Sequence, residues 1–129
     1  MTGALVLEGG LESGRECGLE WVVEAHGCDP RALTEQVRLN QLFETLVELL
    51  KLHPLGKTTW HQFPETGGIT GLSLLSESHL ACHTFPEFGS LCLNVFCCRP
   101  RPDADLDHLL KERFGAAHVY VRRIERPYS

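Results

Sequence analysis

Apolar and polar positions along this chain switch between a two-residue and a helical period. From Gly18 to Ala25, Leu19, Trp21 and Val23 alternate with Glu20, Val22 and Glu24. That predicts a strand with one wetter face. Gly27-Cys28-Asp29-Pro30 then reads as a turn, a helix N-cap and a proline at the first helical position. Leu33, Val37, Leu42, Leu46, Leu49 and Leu50 recur at helical spacing through Lys51, and His53-Pro54 closes that helix. Four short extended segments follow, at 57–63, 69–76, 79–84 and 90–97, with Pro86-Glu87-Phe88-Gly89 as a turn between the last two. In the fourth, Leu91, Leu93 and Val95 alternate with Cys92, Asn94 and Phe96. Pro100, Pro102 and Asp103 break the sheet and start a second helix. Leu106, Leu109, Leu110 and Phe114 are its apolar face, and Gly115 ends it. A last strand runs from 117 to 124.

The predicted order is β-α-β-β-β-β-α-β. It implies an α+β fold: a two-layer sandwich in which a largely antiparallel sheet carries its helices on one face. Residues 1–17 are Gly-rich and without period, so a loose, flexible N-terminal arm is expected there, with a single domain over 18–129. The 129 residues are 43% hydrophobic, enough for one core.

Charge and cysteine content narrow the function classes. A net charge of -5 with scattered Lys and Arg argues against a nucleic-acid partner. No apolar run is long enough for a membrane span, and the first residues lack the basic start of a signal peptide. A cytoplasmic protein is the expectation. Six cysteines include no C-x-x-C pair, so free thiols, mostly packing as small buried hydrophobes, are expected rather than disulfides or zinc.

Acid–base and nucleophilic groups crowd residues 67–99: Thr70, Ser76, Glu77, Ser78, His79, His83, Glu87, Cys97 and Cys98. His79 and His83 are four apart, which suits a metal on a helix, but this segment reads as extended, so no metal is expected. Ser78, Cys82 and His83 do not share one strand face, so local spacing alone assembles no site. From the residues themselves, surface polar groups and a functional cluster both stay open.

The string ESHLACHTFPEFGSLCLNVFCC resembles the processing and active-site segment of prokaryotic S-adenosylmethionine decarboxylases. The family's motifs stand here as Glu77-Ser78-His79, His83-Thr84-Phe85-Pro86-Glu87 and Phe96-Cys97-Cys98. A weaker likeness runs over 18–125, including the Gly-Cys-Asp-Pro turn and His61-Gln62-Phe63, and leaves out the arm. The resemblance implies self-cleavage between Glu77 and Ser78, with Ser78 becoming a covalent pyruvoyl cofactor that forms a Schiff base with the substrate amine. It implies that His83 removes the proton in the elimination, that Thr70 supports processing, and that Cys98 donates a proton to the decarboxylated carbon. Glu87 would bind the ribose hydroxyls, and Phe63 and Phe85 would flank adenine and sulfonium, although core packing explains both aromatics as well.

Cys97 stands where the family commonly has Thr, Asn94 where it has Asp, and Phe85 where it often has Trp. The implied activity is decarboxylation of S-adenosylmethionine for polyamine (spermidine) synthesis, by a homodimer of processed protomers with the site near the interface. Ornithine or arginine decarboxylation on the same scaffold is the alternative. A non-catalytic regulatory or binding relative is a third reading, opposed by intact Ser78, His83 and Cys98.

Overall fold

The structure, a computed structural model, describes residues 16–129. Six strands form one antiparallel sheet: β1 (Cys17–His26), β2 (Thr59–Gln62), β3 (Ile69–Leu75), β4 (Ser78–Phe85), β5 (Ser90–Cys97) and β6 (His118–Pro127), in the order β2-β3-β4-β5-β1-β6. Two helices, α1 (Gln36–Leu49) and α2 (Leu106–Phe114), connect β1 to β2 and β5 to β6. The expected element order and layer arrangement hold. Strand β1 starts at Cys17, one residue inside the expected arm. The rest of that arm lies almost wholly outside the described residues.

One sheet face is the core face. Leu19, Trp21, Val23 and Ala25 of β1 pack there beside Leu91, Leu93, Val95 and Cys97 of β5 and Leu80 and Cys82 of β4. Helix α1 covers it with Leu39, Leu42, Phe43 and Leu46, and α2 with Leu106, Leu109, Leu110 and Phe114. Burial pushes the Cys82 thiol up to about 12 and the Cys28 thiol up to about 11, so both pack as neutral side chains. The opposite face has no helix. It carries Glu20, Val22, His79, His83, Asn94 and Phe96, and it leaves Leu72, Leu74, Phe85 and Tyr120 exposed.

Local chemistry moved two boundaries. Asp29 accepts from the Arg31 N–H at 3.0 Å, but the turn it starts is one round of 3-10 helix, Ala32–Thr34, and Glu35 is extended. Helix α1 therefore begins at Gln36 rather than at Pro30. In that register Val37 and Leu49 fall away from the buried stripe and are 71% and 46% exposed. The cap of α2 is Asp105, whose side chain accepts from the His108 N–H at 3.0 Å, so the helix starts two residues later than the Asp103 expectation. Among the described residues no helix is long and apolar enough to cross a membrane.

Candidate active site

Strand β4 carries the site, with chemistry at both ends. Its C-terminal end opens into a cavity of about 380 Å³ lined by Phe63, Glu65, Thr66, Thr70, His83, Thr84, Phe85 and Glu87. Five of the residues expected from the sequence meet here: Thr70, His83, Glu87, Phe63 and Phe85. Thr70 and His83 face each other across the β3–β4 ladder, and Thr70 Oγ1 is 3.0 Å from His83 Nδ1. A histidine whose Nδ1 is engaged keeps Nε2 for proton transfer.

The cavity walls are fixed by the backbone. Thr84 is buried between His83 and Phe85; its hydroxyl accepts from the Ile69 N–H and donates to the Leu33 carbonyl, both at 2.8 Å. The loop between β2 and β3 closes on itself, with Phe63 N–H donating to Gly68 O and Gly67 N–H to Phe63 O, both at 2.8 Å. Gln62 Nε2 ties that loop to the Thr34 carbonyl at 2.9 Å. Glu87 sits on a single 3-10 turn, Pro86–Phe88, ended by Gly89 at φ 65°. A residue with a Cβ would be strained in that conformation. Phe63 and Phe85 are 44% and 37% exposed, so their rings face the cavity mouth rather than the core.

The N-terminal end of β4 holds the expected cleavage point. Leu75 and Ser78 pair across a two-residue hairpin, so the Glu77–Ser78 bond stands at a tight turn. The Glu77 carbonyl accepts from the Cys98 N–H at 2.9 Å. A donor aimed at that oxygen stabilises negative charge developing on it. Ser78 pairs with Cys97 on β5. Burial pushes the Cys97 thiol up from its ordinary value, outweighing the Ser78 hydroxyl and the Arg101 guanidinium, which both lie against it and favour ionisation. Cys98 is half-buried, and Tyr128 Oη donates to its carbonyl at 2.8 Å.

The two ends are separate within one chain. Ser78 and His83 are five residues apart in one strand, about 17 Å at ~3.3 Å per residue, and on opposite faces. The structure thus joins Thr70, His83, Glu87, Phe63 and Phe85 in one group and Glu77, Ser78 and Cys98 in another.

The sequence reading missed Arg99 and Arg101, which flank Glu77 with Arg99 Nε 2.5 Å from Oε2 and Arg101 Nη2 3.7 Å from Oε1. In the sequence they stood inside a proline-rich stretch read only as a sheet break. It also missed Glu65 and the role of Thr84. On the open face, His79 Nε2 meets Asn94 Oδ1 at 2.8 Å, Asn94 Nδ2 donates to Glu20 Oε2 at 2.8 Å, and Arg126 pairs with Glu20. Asn94 thus takes a position between histidine and carboxylate that its amide, with both a donor and an acceptor, satisfies.

A model of the family described as S-adenosylmethionine decarboxylase matches residues 19–127. The S-adenosylmethionine decarboxylase proenzyme of Thermococcus kodakarensis is 33% identical over 111 residues, covering 84% of this chain and 76% of that one. The proenzyme of Moorella thermoacetica is 32% identical over 118 residues, covering 87% of this chain and 89% of that one. The crystal structure of the adenosylmethionine decarboxylase from Aquifex aeolicus superposes with a TM-score of 0.71 at 21% identity, covering 90% of this chain and 95% of that chain, which is a likeness of fold. With its fold, its hairpin at Glu77–Ser78 and its Thr70–His83 pair, the chain belongs to the S-adenosylmethionine decarboxylase family.

Proposed function

We propose that this protein cuts itself between Glu77 and Ser78 and then decarboxylates S-adenosylmethionine, giving the aminopropyl donor of polyamine synthesis. The observation that carries the reading is the Glu77 carbonyl, directly before Ser78, held by the Cys98 N–H at 2.9 Å. Attack by Ser78 Oγ on that carbonyl converts the amide to an ester. Removal of the Ser78 α-proton then expels the Glu77 carboxylate, and water replaces the nitrogen, released as ammonia, to leave a pyruvoyl group. That carbonyl supplies the electron sink for decarboxylation. The residues around Ser78 fit its formation: a turn, a donor on the carbonyl and a neutral thiol beside the hydroxyl.

The rest of the site has named tasks. Glu87 accepts hydrogen bonds from the ribose hydroxyls at the cavity mouth. Phe63 and Phe85 cover adenine and the sulfonium, where cation and ring attract by about 0.5–2 kcal/mol. Cys98 donates the proton that replaces the carboxyl group, and His83, oriented by Thr70, is the base of the elimination. The cavity supports a nucleoside-bearing substrate over ornithine or arginine because it sets two aromatic rings, Phe63 and Phe85, beside its carboxylates Glu65 and Glu87.

His83 cannot serve Ser78 of its own chain across about 17 Å. A homodimer therefore belongs to the reading, with the open sheet faces packed together about a two-fold axis. Antiparallel superposition of two β4 strands brings the His83 end of one to the Ser78 end of the other, where the base takes the Ser78 Cα proton rather than meeting the side chain on the helix-covered face, and such an interface is self-complementary. The exposed Leu72, Leu74, Phe85 and Tyr120 on that face favour burial there. A cytoplasmic location is part of the same reading, in keeping with six free thiols.

Carbon dioxide release from S-adenosylmethionine, ornithine and arginine, measured side by side with intact mass, tests the proposal. Two fragments and release from S-adenosylmethionine alone are expected. Release from a basic amino acid instead would move the substrate. An uncut wild-type chain would end the pyruvoyl assignment.

A further inference from the structure

Two guanidinium groups face the Glu77 side chain at the cleavage point, and the chemistry proposed above uses neither. They differ in setting. The Arg99 side chain is 72% exposed, so its pair with Glu77 is a solvated one. The Arg101 side chain is 13% exposed, and its Nε is a buried donor with no hydrogen-bond partner among the described residues. Buried donors are normally paired. Arginine also presents Nε and Nη along one planar edge that matches the two oxygens of a carboxylate. In the uncut chain Arg99 and Arg101 meet a single anion at this residue, the Glu77 side chain. Cleavage gives Glu77 a second carboxylate, so that two cations then face two anions.

We propose that Arg101 holds the leaving carboxylate of the self-cleavage reaction, a role that rests on the self-processing reading above. In the ester, Ser78 Oγ is bonded to the Glu77 carbonyl carbon. The Ser78 Cα–H bond breaks and the proton goes to the base. The electron pair forms the Cα–Cβ double bond, and the Cβ–Oγ bond breaks. Oγ departs as one oxygen of the new Glu77 carboxylate, with the other still on the Cys98 N–H. The amide-to-ester shift begins and ends neutral, whereas elimination leaves a full carboxylate charge shared by Oγ, so a cation there favours elimination more than the earlier shift. Once formed, the carboxylate stays on Arg101 and keeps the new chain end out of the substrate's path.

The test separates the two steps. Full-length Arg101→Gln is purified, and its cleavage is followed by intact mass with and without hydroxylamine, which cuts esters but not amides. Cleavage at least tenfold slower than wild type is expected, with the uncut fraction converted by hydroxylamine to a Glu77 hydroxamate and a fragment starting with intact Ser78. Arg101→Lys, which keeps the charge and loses the edge, should cut at an intermediate rate. Guanidinium ion added to Arg101→Gln should restore cleavage. Wild-type rates in Arg101→Gln, or uncut chains inert to hydroxylamine in both variants, overturn the assignment. A wild-type chain that never cuts, or a Ser78→Ala chain that does, removes the self-processing reading itself.

Discussion

Mixing two inactive chains measures whether the site is shared. Ser78→Ala removes the group to be cut, and His83→Ala removes the base at the other end of β4. The five-residue step between them spans about 17 Å of extended strand, far beyond the ~3 Å reach of a proton transfer. If the base comes from the second protomer, a dimer of one chain of each kind has one site with both defects and one with none. Random pairing makes half of the dimers mixed, so about a quarter of all sites are intact. Co-expression of the two tagged chains should then cut up to about half of the His83→Ala chains and no Ser78→Ala chain, with about a quarter of wild-type decarboxylation. Each variant expressed alone should stay full length. Intact mass of each tagged chain gives the cut fraction directly. If co-expression leaves every His83→Ala chain uncut, the base acts within one chain, and the argument from strand geometry fails. If His83→Ala cuts by itself at the wild-type rate, His83 is not the base.

Further outcomes follow from the same contacts. Cys98→Ala should still cut but turn over poorly per cut chain, while Cys97→Ala keeps its turnover; loss from Cys97 alone would move proton donation to the thiol beside Ser78. Glu87→Gln should raise KM for S-adenosylmethionine about tenfold, the worth of roughly 1.4 kcal/mol, and an unchanged KM would take Glu87 off the ribose. Thr84→Val keeps shape but strands the Ile69 N–H and the Leu33 carbonyl, at a combined cost of ~2–4 kcal/mol. A melting temperature lower by roughly 10 °C is expected for a domain of this size, and an unchanged one would mean that water replaces the hydroxyl.

Alternation located β1 and β5, and helical spacing both helices, because each buries a regular stripe; β2 buries none and is legible in the sequence only as an extended segment. Leu106, Leu109, Leu110 and Phe114 are all buried as their spacing requires. Helix starts were less legible. Asp29-Pro30 has the composition of a helix N-terminus, yet the chain uses it for one 3-10 turn and becomes extended at Glu35, a choice made by packing of Leu33 under the sheet. The nucleophile, the base and the substrate-facing residues were readable only through motif resemblance, since strand parity puts Ser78 and His83 on opposite faces. Their division between two ends of β4, and the contacts of Arg101 and Thr84, depend on pairings across 24 and 51 residues of chain that no local pattern encodes.

The strand order has a consequence for what a cut chain can do. A break after Glu77 assigns β1, α1, β2 and β3 to one fragment and β4, β5, α2 and β6 to the other. The fragments do not lie side by side: β1 of the first is inserted between β5 and β6 of the second, paired from Leu19 to Ala25 on one side and from Cys17 to His26 on the other. Separation would strip both edges of β1 and open the core, so the nicked molecule should hold together as firmly as the intact one. Once denatured, however, it must reassemble by a bimolecular encounter rather than by folding back along one chain. Cleavage thus turns refolding into a joining of two fragments, and rebuilding of the single protomer should depend on protein concentration only in the processed form.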